Sequence, residues 1–291
     1  MSLLEWRKVF AVLYLLLTLI GCQSISPDIP RIAIMSAFER ELEPLLKQTT
    51  VESTQTINSI TFTTGTLAGQ KVLLFLSDVS MVNAAMNTQL ALDHFSISQI
   101  IFSGIGGGIA PDLQIGDVVI PAQWAQYQES VYVRPAADGT LIPPIWLDDP
   151  LPAYGIMFPK PVELQGADRV WFPAVVIDLP ETLSLEQCLN PQPCLPREPR
   201  LIMTGTGVSG QGFVDNADFA AYLHQTFGAA VVDMESAAVA QVAYVNNIPF
   251  LAVRGISDLP GSTSAEAMTT FYPLAADNAT AVTLAFLAAV D

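Results

Sequence analysis

The sequence predicts one α/β domain built on a mixed sheet. Two observations carry that prediction. Short apolar runs alternate with segments of helical periodicity along most of the chain. Hydrophobic residues make up 51% of the 291 residues and charged ones only 14%, which fits a big buried core rather than a solvated, disordered chain. There are no internal repeats.

Taken in order, "SISPDIP" is a short linker, and "RIAIMSA" (31–37) is a buried strand followed by the acidic "FERELEPLL". "SITFTTG" (59–65) and "KVLLFLS" (71–77) are strands joined by a "LAGQ" turn. "NAAMNTQLALDHF" (83–95) has helical periodicity. "QIIFSG" (99–104) is a strand that ends in the Gly-rich run "GIGGGIAP", and "GDVVIPA" (116–122) is another. Residues 124–198 are rich in Pro and aromatics with weak periodicity, as in an elaborated loop region. "RLIMTGTG" (200–207) is a strand and "DNADFAAYLHQTF" (215–227) a helix. "AAVVDM" (229–234), "ESAAVAQVAYV" (235–245) and "FLAVRGISD" (250–258) then read as strand, helix and strand. A last helical segment from about Ser264 to Val290 is expected to break near Pro273.

Ligands of such sheets sit beyond the carboxyl ends of the strands. Here those ends carry Glu39 and Glu41, Gly106 to Gly108, Asp233 and Glu235, and Asp258. The pattern predicts one acidic, Gly-lined site assembled from distant segments.

A formal net charge of −16 argues against nucleic acid as a partner. The two histidines, His94 and His224, lie in helical stretches and read as structural, so a Ser-His-Asp triad is not expected. No Cys/His cluster has metal-ligand spacing, and no cofactor is expected.

The N-terminus reads as a leader rather than part of the fold. Arg7 and Lys8 precede an apolar run from Val9 to Ile20, which is short for a membrane span. The run ends in Leu19-Ile20-Gly21-Cys22, which resembles the bacterial lipoprotein cleavage box. That resemblance implies that Cys22 becomes the lipidated first residue, a membrane anchor. Gln23 after it favours the outer membrane. The expected division is a signal peptide over 1–21, a linker over 22–30 and the domain over 31–291. Export into an oxidising compartment permits a disulfide, and the two prolines of "CLNPQPC" help turn the short loop back. A Cys188–Cys194 bridge is therefore expected.

Three blocks, "IAIMSAFERELEPL", "SGIGGGIAPDLQIGDVVIP" and "VVDMESAAVAQVAYVNNIPFLAVRGISD", resemble the purine nucleoside phosphorylase superfamily. The nearest branch is that of methylthioadenosine/S-adenosylhomocysteine nucleosidases, and the resemblance covers roughly 31 to 290. Residues 77–88 and 186–216 look more like a secreted subgroup that includes plant bark storage proteins, which also carries a cysteine pair. The resemblance implies a three-layer αβα domain, N-glycosidic bond cleavage, a purine nucleoside as the small-molecule partner, and a homo-oligomer, usually a dimer.

Such cleavage needs protonation of the leaving base, a nucleophile below the sugar and a grip on the ribose. Asp258 matches the family's general acid, with Ser257 before it. Glu235 matches the glutamate that accepts both ribose hydroxyls, since a carboxylate takes a bidentate pair of donors. Met234 matches an apolar wall of sugar and base. Asp233 stands where the nucleosidases usually have Glu, and reads equally as a structural hydrogen-bonding group. Glu41 matches the glutamate that activates the attacking water. Phe213 and Val214 match the segment that stacks on the base and offers backbone groups to its edge. Gly106 and Gly107 would line the floor, where a missing side chain lets a ligand approach. Arg254 reads as supporting. "SDVSMVN" departs from the Gly-rich turn common in the branch, and Ile105-Gly106-Gly107 replaces its Ser-Ala-Gly. Phosphorolysis is the runner-up, although no arginine matches the family's phosphate clamps, and a non-catalytic binding or storage protein is the third reading.

Overall fold

The computed structural model of the chain describes residues 29–128, 134–142, 162–164, 167–169, 172–175, 179, 183–189, 193–203, 205–261 and 264–290. The expected signal peptide over 1–21, Cys22 and much of the 124–198 region lie outside them. The first half runs β1 (Arg31–Ser36), α1 (Glu39–Gln48), β2 (Thr50–Ile57), β3 (Ile60–Leu67), β4 (Gln70–Leu76), α2 (Met81–His94) and β5 (Ile97–Gly108). Short strands follow: β6 (Val118–Val119), β7 (Gln123–Gln126), β8 (Arg134–Pro135), β9 (Leu141–Ile142), β10 (Val162–Leu164), β11 (Ala167–Arg169), β12 (Phe172–Pro173) and β13 (Leu201–Ile202). The chain closes with β14 (Thr206–Ser209), α3 (Ala217–Phe227), β15 (Ala229–Asp233), α4 (Ser236–Val245), β16 (Phe250–Asp258) and α5 (Ser264–Ala289).

Twelve strands form one mixed sheet, with the order β12-β7-β14-β15-β5-β1-β4-β3-β2 and with β16, β6 and β13 joining alongside β5. The central strands are apolar throughout because both faces are covered. Ala33 and Met35 of β1 point with Leu73 and Phe75 of β4 toward the Ala-rich faces of α2 and α4. Their neighbours Ile32, Ile34, Val72 and Leu74 point the other way, to Leu42 and Leu45 of α1 and Val282 and Phe286 of α5. The period-2 alternation of each strand thus fills two cores, giving the three-layer αβα domain.

Several boundaries differ from the sequence expectation. Gly106 to Gly108 lie inside β5, not in a turn after it. Their lack of side chains lets β15 pack close: a Cβ on Gly106 would stand 2.8 Å from Val231 Cγ2. Only Val118–Val119 of the 116–122 run is in ladder pairing, and the 200–207 run divides into β13 and β14. α5 runs unbroken through Pro273. Proline removes one helical hydrogen bond and crowds the preceding turn. Here burial of Leu274, Ala275 and Ala276 directly after it outweighs that loss, with Ala275 O so close to β16 that a Cβ on Gly255 would meet it at 2.0 Å. Cys188 and Cys194 are disulfide-bonded, as expected, and the two arms pair through Leu189 N–H to Pro193 O at 2.9 Å and Leu195 N–H to Gln187 O at 2.8 Å.

Candidate active site

The site forms where the sheet opens along β5. One edge of β5 is held by β16 from Ile100 to Gly107. The other edge is shared: β1 pairs with it up to Phe102, and β15 takes over at Gly107 and Gly108. Between those pairings the Ile105 N–H donates to Glu41 Oε1 at 2.8 Å, so a carboxylate stands in for a missing strand. Glu41 sits in the first turn of α1, where its Oε2 also accepts the N–H groups of Ala37 at 2.9 Å and Phe38 at 3.0 Å. Burial pushes the Glu41 pKa up, opposed by the Arg254 charge and these three amides.

Arg254 reaches the same opening from β16. It is 1% exposed and lies over the Phe102 ring at 3.9 Å. Its Nε donates to Asp233 Oδ2 at 2.8 Å, and Nη2 donates to Ser236 Oγ at 2.7 Å. A Cβ on Gly104 would stand 2.3 Å from Arg254 Nη1 and 2.8 Å from Glu41 Oε1, so only glycine lets these groups meet there. Asp233 Oδ1 accepts the Ser209 hydroxyl and, at 3.2 Å, the N–H groups of Glu235 and Ser236. Asp233 therefore holds the two amides that lead into α4 and anchors Arg254, a structural hydrogen-bonding role.

A cavity of about 210 Å³ lies beside this network, at the carboxyl ends of β5, β15 and β16. Gly106, Gly107 and the stretch Val232 to Glu235 line one side, and Ser257 and Asp258 another. Phe38, Val79, Ile105, Phe213, Met268 and Tyr272 close the apolar remainder. Larger grooves of about 480, 650 and 550 Å³ lie elsewhere, but none is lined by a buried carboxylate.

Of the three acids lining this cavity, Asp233 is bound to Arg254, and Asp258 and Glu235 remain. Asp258 is 2% exposed; its Oδ1 accepts the Ser257 hydroxyl at 2.6 Å, while its buried Oδ2 has no hydrogen-bond partner among the described residues. Burial raises its pKa, the Ser257 bond opposes that, and the nearby Asp215 charge adds to it. Glu235 Oε1 accepts the Ser80 N–H at 2.8 Å. Ser80 holds φ at 90°, a conformation that favours glycine, and so stores strain of ~1–3 kcal/mol while aiming its amide.

Burial, and then the negative charge of Asp233, pushes the Glu235 pKa from 4.5 up to about 7. A carboxyl whose folded pKa lies above its unfolded value favours folding most when protonated. That stability is fully present below pH 4.5 and is lost as pH rises through about 7. Thermal unfolding at a series of pH values is expected to show the midpoint falling across this window, with Glu235→Gln flattening the slope. A slope unchanged in the variant would refute this assignment.

Of the residues singled out from sequence, Asp258, Ser257, Glu235, Met234, Phe213, Gly106 and Gly107 line this one cavity. Glu41 is set one layer back, bonded to the amides of Phe38 and Ile105 that line it. Val214 does not line it. Its side chain is buried with Tyr222, Leu223 and Phe227 in a separate cluster on α3, because the chain turns there from an exposed loop into the helix. Phe38, Val79, Met268 and Tyr272 were not legible as site residues. Tyr272 packs edge-on to Phe38 at 6.0 Å, and burial followed by the Glu41 charge pushes its pKa up. Among the described residues no group of His, Cys, Asp and Glu side chains could hold a metal ion.

The chain is similar to the methylthioadenosine/S-adenosylhomocysteine nucleosidase of Bacillus licheniformis, 27% identical over 262 residues, covering 90% of this chain and 100% of the relative. It is 29% identical to the nucleosidase of the same name from Tolumonas auensis over 258 residues, covering 88% and 98%. The solved structure of the S. pneumoniae nucleosidase with a transition-state inhibitor superposes with a TM-score of 0.66 at 26% identity, over 90% of this chain and 100% of that one. The phosphorylase superfamily profile matches residues 31–288. With nearly the whole described domain inside that match and its carboxylates gathered at one cavity, the chain belongs to the phosphorylase superfamily.

Proposed function

We propose that the chain hydrolyses the N-glycosidic bond of a purine nucleoside or its 5′-thio analogue. The observation that carries this reading is Asp258 Oδ2, a buried acid atom without a partner among the described residues, set beside Glu235 in an apolar cavity. A carboxyl whose pKa is raised by burial is suited to give a proton to the leaving purine as the C–N bond breaks. Glu235 accepts the two ribose hydroxyls; Met234 and Phe213 pack on sugar and base. A water oxygen attacks the anomeric carbon, and Glu41 takes its proton. The products are the free base and the sugar. The names of the relatives support the same chemistry.

Hydrolysis is favoured over phosphorolysis because, among the described residues, no Lys or Arg lines the cavity, and the buried Arg254 is committed to Asp233 and Ser236. The test is purine release by the chain lacking residues 1–22 from adenosine, inosine, guanosine, methylthioadenosine and S-adenosylhomocysteine, each with and without phosphate. Release without phosphate is expected. Release only with phosphate would make it a phosphorylase, and tight binding without release a binding or storage protein.

The charged and apolar leader and the box ending in Cys22 support export as a lipoprotein, anchored in the outer membrane through Cys22. The residues from Cys22 to Arg31 reach at most ~30 Å when extended. β1 begins at the amino ends of the parallel strands, away from Asp258 at the carboxyl end of β16. The 77–88 and 186–216 segments support a place in the secreted subgroup that includes bark storage proteins. An apolar strip of Val82 and Met86 on α2 and Val245 on α4, each more than half exposed, supports a homodimer.

A further inference from the structure

We propose that Arg197, on the disulfide-stapled segment, is a positioning residue for Asp258, acting through Asp117 and the backbone of Gly116 and Ile256. The proposal rests on Asp258 being the proton donor. Asp258 is the last residue of β16, and the β16–β5 register slips just before it: Ile256 lies opposite Gly106, and Asp258 opposite Gly107. Ser257 is thus the extra residue of a bulge, a device that re-aims a side chain at the end of a strand.

The other edge of β16 is clamped up to that bulge. Gly255 pairs with Val118 of β6. The Ile256 N–H donates to Asp117 O at 2.7 Å, and the Gly116 N–H donates to Ile256 O at 2.8 Å. The aim of Asp258 therefore depends on what holds Gly116 and Asp117.

What holds them comes mostly from the stapled segment. The Asp117 carboxylate is fully buried and takes both ends of the Arg197 guanidinium, at 2.7 and 2.6 Å. It also accepts the N–H of Arg200 at 2.8 Å and of Gln114 at 3.0 Å. The Arg200 guanidinium stands off at 3.6 Å, so Arg197 is the bidentate counter-ion. Gly116 has φ of +88°, and a Cβ there would lie 2.3 Å from Leu195 Cδ1, the residue after Cys194. Asn278 of α5 donates to Gly116 O and to Glu186 O, both at 3.0 Å. Neither Arg197 nor Asp117 lines the cavity, so any effect on Asp258 travels through the backbone.

The test uses the full-length chain in detergent, with Arg197→Ala and Arg197→Lys, and Asp258→Asn as a control on the acid assignment. Asp258 must be protonated to act, so kcat falls as pH rises through its pKa. Loosening the bulge admits water, weakens the burial that raises this pKa, and moves the alkaline limb of kcat to lower pH. For Arg197→Ala we expect kcat to drop about 10-fold or more, with KM changed far less, as misplaced catalytic groups do. Arg197→Lys keeps the charge but not the fork, and is expected to fall between. It decides the matter if the alanine variant does not fold. The ¹³C titration of the Asp258 carboxyl reads the same shift without turnover. The other titratable groups facing Asp258 are left in place: Asp215 before α3, Asp233 and Glu235 at the end of β15, and Tyr272 on α5. Variants that are less heat-stable yet keep the parent's kcat, pH limb and carboxyl titration would make Arg197 merely structural and overturn the proposal. Full activity in Asp258→Asn would instead overturn the acid assignment, and the carboxyl titration would still answer for the clamp.

Discussion

Asp258→Asn is expected to lower kcat for base release by ~10²–10⁴-fold, the usual contribution of a positioned general acid. The substitution keeps the shape of the side chain and its Oδ1 contact with the Ser257 hydroxyl. It replaces Oδ2, the buried atom with no partner among the described residues, by an amide that cannot release a proton to the purine. The fold should tolerate the change, because it removes an acid whose pKa is raised chiefly by burial and further by the Asp215 charge. Steady-state kinetics beside a thermal melt separates the two effects. A variant that melts like the parent but keeps more than a tenth of its kcat would show that the proton comes from elsewhere.

The largest expected loss of stability is that of Arg254→Met, at ~3–5 kcal/mol, as is usual when one partner of a buried ion pair is removed. The side-chain exposures of Arg254 and Asp233 are 1% and 2%, so solvent cannot replace the lost contact. The Asp233 Oδ2 bond and both bonds to Ser236 would go together, and the cation opposite Glu41 with them. Urea titration should move the midpoint with little change in slope. Adding Asp233→Asn should recover part of the loss, since it removes the stranded charge. A single-variant loss below about 1 kcal/mol would mean that this pair does not hold the site together.

Much of the candidate site was legible because its carboxylates stand at the ends of strands. Ligands of such sheets gather beyond the carboxyl ends of strands, which marks Glu235 after β15 and Asp258 at the end of β16. That the two meet is a matter of packing, since β16 runs parallel to β5 and β15 antiparallel to it. The residues that were not legible have no such rule. Met268 and Tyr272 project from one long helix whose sequence carries no motif, and reach the cavity only because α5 passes over β16 at Gly255. Phe38 sits in the acidic block beside Glu41, and a lone aromatic there carries no motif of its own. Val214 follows Phe213 directly, yet the two diverge, one at the cavity and the other in the α3 cluster.

The sequence by itself determined the layers and the chemistry available to them. Period-2 runs set which side chains of β1 and β4 face each core, and the strand-end carboxylates set the acidic character of the site. It also led to the Cys188–Cys194 pairing. Only the tertiary structure decided what each carboxylate does. Asp233 and Glu235 are two residues apart, but Asp233 is bound by Arg254 and Ser209, and Glu235 by the Ser80 amide. Those partners come from 21, 24 and 155 residues away. The unbroken α5 is a decision of the same kind, since a local preference to break at Pro273 gave way to burial against β16. Local sequence records propensity and position along a strand. The partners and burial that set a carboxylate's charge and aim come from distant segments, and exist only once the sheet has closed.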